Sequence, residues 1–298
     1  MITVSVPATS ANIGAGFDSC GLALALYNRV QMEEWDGVCI TSLDGVPAGP
    51  QNLVYRTAKG LYDECGAPLR GLRLAQENGV PMARGLGSSS ACIAAGLVGA
   101  NELLGRPFTR MQLLERAAAL EGHPDNVAPA MLGGFVASAL EGGRLYAVQK
   151  PVSQALCFAA FVPGYKLLTK KARAALPGSV AHKDAVYNVS HAALLAAAFC
   201  EERYGLLRVA TGDRLHQPYR AALMPGMREV FALCEALGAL GWWVSGAGPT
   251  LLCAVRAQNE TFFTAARAKL AAAERGSPLA AYTLHRLAPD NAGARATA

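Results

Sequence analysis

Two clusters of polar residues combine types and spacings that could do chemistry. The first is Gly85-Leu86-Gly87-Ser88-Ser89-Ser90, inside the stretch from Gly79 to Leu104. Pro81 and the glycines break regular structure, and beyond Ser88 small and apolar residues continue for about four helical turns, which predicts a loop feeding a helix. The first backbone N–H groups of a helix lack intrahelical partners, and the helix dipole adds positive charge there. An anion such as phosphate fits that position, and the serine hydroxyls can add contacts to phosphate or Mg²⁺. A serine N-cap with glycines serving only the turn fits the same residues. A Walker A loop is excluded, because no lysine lies between Lys59 and Lys150. A dinucleotide fingerprint is excluded too, because Ser90 stands where its third glycine is needed. No G-x-S-x-G elbow surrounds the serines, which sets a serine hydrolase aside.

The second cluster is Glu121, His123, Asp125 and Asn126, four polar groups within six positions where a helix is halted by Gly122-His123-Pro124. Such density between apolar segments points to a site. A third stretch, Ala8 to Asp18, is rich in small polar residues and could present Ser10, Asn12 and Asp18 to a ligand, or use them as turn formers.

The elements that must hold these clusters follow from periodicity. Ile2 to Val6 alternates as a half-buried strand that Pro7 ends, and Val30 to Glu34 with Val38 to Thr41 reads as a hairpin around Asp36-Gly37. Apolar residues from Asn52 to Cys65 recur at helical spacing, Leu72 to Gln76 alternates, and Thr109-x-x-Gln112 is a capping box for a helix to about Glu121. Gly133 to Leu140 and Arg144 to Val148 form a hairpin. The pattern restarts near Lys150-Pro151, which divides the chain into 1–152 and 153–298. The second part reads as a strand from Ala155 to Val162, a short helix from Thr169 to Leu176 carrying Arg173, and a long helix from Asp184 to Phe199. A polar segment from Asp213 to Arg220 follows, then a helix from Met227 to Leu240 and a strand from Trp242 to Val244. A second glycine loop from Ser245 to Thr250 leads to a strand from Leu251 to Val255, a helix from Thr261 to Ala273, and a last strand from Ala281 to Leu287. The Ala/Gly-rich end is expected to fray. Strands and helices alternating in two groups imply an α+β protein with its site between two halves.

Composition limits the partners. Hydrophobic residues make up 52% of the 298 and charged residues 16%, enough for a substantial core and unlike a disordered chain. The apolar runs are too short to span a bilayer, and the N-terminus enters a strand pattern at once, so no signal peptide is expected. Eight cysteines lie far apart without a C-x-x-C pair and read as reduced core thiols. A net charge of +5, dispersed rather than striped with aromatics, argues against nucleic acid and suits small anionic substrates.

Four motifs in order, Val6 to Asp18, Gly85 to Ser90, Glu121 to Val127 and Ser245 to Thr250, together resemble the homoserine kinase family. That family belongs to the superfamily of galactose, homoserine, mevalonate and phosphomevalonate kinases. Gly122 to Val127, Thr169 to Arg173 and Asp213 to Arg220 are its more selective stretches. The resemblance implies an N-terminal domain like ribosomal protein S5 domain 2 and a C-terminal ferredoxin-like domain, with ATP and Mg²⁺ between them. It implies phosphorylation of L-homoserine to O-phospho-L-homoserine in threonine biosynthesis, in the cytoplasm, without nucleic acid or membrane partners. A homodimer stays open.

By that likeness Asn52, Pro81, Arg84, Gly85, Leu86, Gly87, Ser88, Ser89 and Ser90 hold the nucleotide. Ser89 and Glu121 hold Mg²⁺, with Glu115, two turns upstream, as the alternative ligand. Asn12 and Asp18 meet the hydroxyl and amino end of the substrate, His123, Asp125 and Asn126 close the site, and Thr169, Arg173 and Arg220 face the carboxylate. Asn12, Asn126, Ser89 and Glu121 form the catalytic set. Mevalonate kinase is similar but has an Asp where this chain has Asn126, so the base assigned there is missing here and the hydroxyl proton is expected to pass to phosphate or water. The chemistry of the residues agrees: guanidinium forks, carboxylates and a neutral amide match one carboxylate, one ammonium and one hydroxyl. The competing readings are a kinase of the same superfamily acting on another small alcohol, and a silent ATP or amino-acid sensor on the same fold.

Overall fold

The computed structural model describes residues 1–42 and 46–297. Its first half comprises β1 (Ile2–Ala11), β2 (Cys20–Glu34), β3 (Cys39–Ser42), α1 (Leu53–Glu64), β4 (Leu72–Asn78), α2 (Ser88–Leu103), α3 (Arg110–Glu121), α4 (Pro124–Leu132), β5 (Phe135–Glu141) and β6 (Arg144–Lys150). The second half comprises β7 (Leu156–Pro163), α5 (Thr169–Ala174), α6 (His182–Cys200), α7 (Leu207–Ala210), α8 (Gln217–Arg220), α9 (Met227–Ala236), β8 (Gly241–Val244), β9 (Leu251–Arg256), α10 (Glu260–Ala271), β10 (Tyr282–Leu287) and β11 (Arg295–Thr297).

The first sheet runs β11-β1-β2-β4-β3, with β5 pairing β2 and β6. Helix α2 is central to the core beside it. Ala91, Ile93, Ala94, Ala95, Leu97 and Ala100 of α2 are buried against α1 residues such as Val54 and Leu61 and strand residues such as Val4 and Met32. An apolar helix with so many small residues can only be stable when enclosed. The second sheet has the order β10-β7-β9-β8, all antiparallel, which with β7, α6, β8, β9, α10 and β10 in sequence is the ferredoxin-like arrangement expected. The α+β fold, with its ribosomal protein S5 domain 2-like first half, therefore stands.

The halves share a core. Phe135 of β5 stacks on Phe199 of α6 at 4.3 Å, and Ile13, Leu22 and Leu24 pack with Phe158, Leu195 and Trp243. Each such side chain buried contributes roughly 1.5–3 kcal/mol, so the seam is a structural interior rather than a sliding surface.

Four expectations change. Pro7 does not end its strand: β1 runs on to Ala11, and Pro7 falls where the β1–β2 register shifts, a bulge where a missing N–H costs little. Segments 30–34 and 38–41 are not a hairpin. β4 occupies the place beside β2, and β3 pairs parallel to β4 on its far side. The polar cluster after α3 opens a further helix, α4, with Pro124 in its first turn, where a proline costs no hydrogen bond. The C-terminal end is not frayed. A division into 1–152 and 153–298 puts β11 with the second half, yet β11 pairs with β1 in the first sheet. Asp290 anchors that return by accepting from Tyr27 Oη and the Ala292 and Gly293 N–H groups.

Candidate active site

One cleft at the seam gathers most of the predicted residues. A cavity of about 120 Å³ is lined by Asn12 and Asp18 from the β1–β2 loop, by Arg84, Gly85, Gly87, Ser88 and Ser89, and by Glu121, His123, Asp125 and Asn126. Thr169, Arg173, Arg220, Gly246, Ala247 and Gly248 complete it from the second half. The last three were quoted in a motif without a role.

The serine loop does not form the serine N-cap that its residues left open. The N-cap of α2 is Gly87, at φ 71°, and no side chain caps the helix. The serines occupy the first turn instead, and their hydroxyls are used elsewhere: Ser89 Oγ donates to Glu121 Oε2 at 3.1 Å and Ser90 Oγ to Glu121 Oε1 at 3.0 Å. The first-turn N–H groups of α2 are thus left uncapped by any side chain beside the cleft. Gly85 is needed for approach as well as for its φ of 74°: a Cβ there would lie 2.3 Å from the Ser245 carbonyl oxygen. The two glycine loops therefore touch, and Ser245 Oγ donates to the Gly85 carbonyl. Arg84 holds the loop to the second half, its fork donating to the Pro163 and Gly164 carbonyls at 2.9 Å each.

Across the cleft, Asp18 and Arg173 pair directly. Both carboxylate oxygens accept from the guanidinium, at 2.8 and 3.0 Å, and both side chains are a little over one-third exposed. Arg220, by contrast, is only 1% exposed. Its Nε donates to the Ala172 carbonyl, and its Nη1 to the Gly246 carbonyl and to His216 Nδ1, each at 3.2 Å. Nη2 has no protein partner among the described residues, so this arm remains for a ligand. Burial first, then the positive charge of Arg173, lower the pKa of Arg220 to about 10. His216 Nε2 donates to the Gly14 carbonyl at 2.9 Å while Nδ1 accepts from Arg220, which fixes a neutral imidazole, and burial lowers its pKa accordingly. His123 behaves oppositely. Its Nδ1 lies 2.5 Å from Asp125 Oδ1, and that hydrogen bond raises its pKa.

Asn12 spends most of its amide on the protein: Nδ2 donates to the Gly246 carbonyl at 2.7 Å and Oδ1 accepts from Asp18 N–H at 3.0 Å. It sits at φ 71°, a conformation asparagine tolerates. Ser10, read as facing a ligand or forming a turn, is fully buried: its Oγ accepts from Trp243 Nε1 and donates to Ser245 Oγ, whose own proton goes to the Gly85 carbonyl.

Four of the predicted residues lie outside the cleft lining. Asn52 is the N-cap of α1: its Oδ1 accepts from the Val54 and Tyr55 N–H groups, and its Nδ2 donates to Gln76 Oε1 and the Pro47 carbonyl. Its amide is therefore committed. Leu86 turns its side chain into the core, Ser90 stands behind Glu121, and Pro81 lies before the loop. Glu121 lines the cleft and Glu115 does not. Thr9 and His216 were missed. The i, i+4 spacing of His216 and Arg220 was the available signal for the histidine. Thr9 was hidden inside a strand segment read as loop.

Among the described residues no group of three or more His, Cys, Asp or Glu is placed to hold a metal by itself. The donor set at Ser89 and Glu121 is nevertheless hard oxygen. It suits Mg²⁺, which is commonly held by one or two carboxylates together with substrate phosphates.

The GHMP kinases N terminal domain model matches residues 52–134, and the GHMP kinases C terminal model matches residues 195–276. A homoserine kinase from Clostridium beijerinckii is 45% identical over 264 residues, covering 88% of this chain and 89% of its own. The chain belongs to the homoserine kinase family of GHMP kinases. Another relative named homoserine kinase, from Caldicellulosiruptor saccharolyticus, is 42% identical over 99% of this chain and 96% of its own. Among solved structures, the homoserine kinase from Cytophaga hutchinsonii superposes with a TM-score of 0.86 at 28% identity, covering 99% of this chain and 97% of that one. The L. major mevalonate kinase, solved with R-mevalonate, matches with a TM-score of 0.70 at 15% identity, covering 96% of this chain and 95% of that one, and shares the fold alone. No helix among the described residues is long and apolar enough to cross a membrane.

Proposed function

We propose that this enzyme transfers the γ-phosphoryl group of ATP to the hydroxyl of L-homoserine, forming O-phospho-L-homoserine as a step of threonine biosynthesis in the cytoplasm. The observation that carries the reading is the cleft itself. A loop of uncapped helix-start amides and serine hydroxyls shares a cavity of about 120 Å³ with Asp18, Arg173 and Arg220, a carboxylate and two guanidinium groups suited to a small zwitterion. The space is well below the roughly 300–1,000 Å³ of ordinary ligand pockets, which suits a small acceptor with the nucleotide on the loop side.

In this reading Gly85 to Ser90 hold the phosphates through backbone N–H groups. Asp18 takes the substrate ammonium, and Arg173 with the free arm of Arg220 takes the carboxylate. Asn12 offers its remaining N–H to the hydroxyl end, Thr169 borders the carboxylate, and His123 with Asp125 closes the far wall. Ser89 and Glu121 would hold Mg²⁺, which neutralises charge on the phosphates when bound. The hydroxyl oxygen forms the new bond to phosphorus, the bond to the β,γ-bridging oxygen breaks, and the hydroxyl proton passes to a phosphate oxygen or water. Asn126 orients rather than abstracts, because an amide is no base. Little covalent work is asked of the chain, and positioning with charge neutralisation supplies the rate. The two functional halves are 1–152 and 153–298, with β11 returned to the first.

A coupled ADP-release assay across homoserine, serine, threonine and mevalonate tests the reading. Homoserine should be turned over with the highest kcat/KM. Preference for mevalonate, or no ADP release with any of the four, would overturn it.

A further inference from the structure

Asn126 lies in the cleft between the serine loop and His123, but an amide has two ends of opposite character, and the reaction depends on which one faces the phosphate. Thr9 supplies the answer. It is fully buried near the end of β1, and its Oγ1 donates to Asn126 Oδ1 at 2.7 Å. A hydroxyl can accept as well as donate, but among the described residues Asn126 Oδ1 is the acceptor its one proton has, so a turned amide would leave a buried O–H unpaired. The backbone of Thr9 is engaged as well, its N–H donating to the Leu86 carbonyl at 3.1 Å. Gly87 closes over the pair: a Cβ there would lie 1.9 Å from Thr9 Oγ1 and 3.2 Å from Asn126 Oδ1, so the loop can come this close only with glycine. With Oδ1 held from below, Asn126 Nδ2 has no protein partner among the described residues and remains as the amide's outward end.

We propose that Thr9 is a positioning residue for phosphoryl transfer, locking the Asn126 amide so that its N–H₂ faces the reacting groups. The inference rests on the phosphoryl-transfer reading given above. A donor there stabilises the negative charge spread over the phosphoryl oxygens, whereas the reversed amide would place an oxygen lone pair against them. The lock also excludes an acceptor role for Asn126 toward the hydroxyl proton. A bond that positions a group for the transition state affects kcat more than ground-state binding.

The test begins with Thr9→Val, which keeps the branched shape and removes the hydroxyl. Its kcat with homoserine and ATP should fall roughly 10- to 100-fold, as when one positioned donor is disturbed, while both KM values stay within about threefold. Thr9→Ser should recover kcat to within about fivefold of wild type. In the double variant Thr9→Val with Asn126→Ala, kcat should match that of Asn126→Ala alone, because the lock has nothing left to hold. If Thr9→Val does not fold, Thr9→Cys takes its place, since its weak donor should give intermediate kcat with unchanged KM. Retention of kcat within about twofold in Thr9→Val, or effects of the two substitutions that multiply, would overturn the proposal. Wild type that turns over no homoserine would sink the functional reading instead, and that is read before any variant.

Discussion

Replacing each of the two cleft arginines by alanine is expected to separate substrate recognition from folding. Arg173 pairs with Asp18, but both side chains are more than one-third exposed, and such pairs are worth about 0.2–1 kcal/mol. Its guanidinium stands 5.9 Å from the Phe17 ring, which adds at most about 0.5–1 kcal/mol. Arg173→Ala should therefore lose about 1 kcal/mol of stability, a few degrees of Tm at most. Arg220 is nearly fully buried and donates to the Ala172 and Gly246 carbonyls and to His216. Its removal strands two acceptors, the Ala172 carbonyl and His216 Nδ1, since Asn12 Nδ2 still donates to the Gly246 carbonyl. At roughly 1–3 kcal/mol for each that water does not reach, Arg220→Ala should lose about 2–5 kcal/mol. On homoserine both variants should lose at least about tenfold in kcat/KM, since a hydrogen bond to a charged group is worth about 1.5–3 kcal/mol. Lysine should rescue Arg173 only partly, because a point charge does not reproduce a planar fork. The control is 3-aminopropanol, which keeps the ammonium and hydroxyl but lacks the carboxylate. On it Arg173→Ala should equal wild type or exceed it, because Asp18 is released from its partner. Coupled ADP release and thermal denaturation provide both readings. An Arg173→Ala defect as large on 3-aminopropanol as on homoserine would show that this arginine does not read the carboxylate. An Arg220→Ala protein as stable as wild type would refute the account of its buried bonds.

Further expectations follow from the same geometry. Ser89→Ala and Glu121→Ala should each lower kcat by about tenfold or more with a smaller change in homoserine KM, whereas Glu115→Ala should leave both near wild type. The reverse pattern in steady-state assays would move the ligand role upstream. Serine, one methylene shorter than homoserine, should lose at least about 1–3 kcal/mol in kcat/KM from packing alone, and comparable values for the two substrates would contradict the pocket assignment. His123 in the cleft and the buried His216 should respond oppositely to pH. His123 has its pKa raised above the ordinary 6.5 by Asp125, so its contribution to stability is complete below that value and is lost as pH rises through the folded pKa. The Tm advantage of wild type over His123→Gln should accordingly shrink above about pH 6.5. His216 has its pKa lowered by burial, so its contribution is complete above 6.5 and is lost as pH falls through the folded pKa. The advantage over His216→Gln should shrink on acidification, and identical pH trends for the two variants would refute the assignment.

Local signals were legible in the chain. The capping box at Thr109 is formed as its spacing predicts, with the Gln112 side chain accepting from Thr109 N–H. The second hairpin also follows from periodicity, while the ferredoxin-like half and most cleft residues follow from the family resemblance that the motifs carry. Pairing over long distances was not legible. Nothing in residues 30–41 announces that β4, some 30 positions later, will take the place beside β2, and a plausible turn at Asp36-Gly37 suggested the nearer partner. The return of 288–297 to the first sheet was hidden for the same reason: its composition is that of a loose end, and its order comes from Asp290 and the edge of β1. The cysteines were read too uniformly as core thiols. Cys20, Cys157, Cys234 and Cys253 are buried, but Cys39, Cys65 and Cys200 are exposed.

Residues of ligand-binding type divide here into those that face the cleft with unspent capacity and those that build it. Asn52 spends its amide on the start of α1, Arg84 its fork on two carbonyls, Ser245 its hydroxyl on the opposite glycine loop, and Asn12 most of its amide on Gly246 and Asp18. Among the described residues the Arg220 Nη2 arm and the Asn126 N–H₂ have no such partner, no side chain caps the first turn of α2, and the Asp18 carboxylate and Arg173 fork hydrogen-bond each other. A kinase of this kind gains rate from holding groups still, so the residues that appear consumed by structure set the precision of those that are not. Residue type cannot separate the two roles, because an asparagine or an arginine serves either one. The separation comes from hydrogen-bond accounting, which needs the fold. It also orders the consequences of mutation. Loss of an unspent group should act on turnover with little effect on stability, whereas loss of a committed one should act on stability first. His216 and Thr9 bridge the classes, since each spends its own polar atoms to aim a neighbour at the cleft.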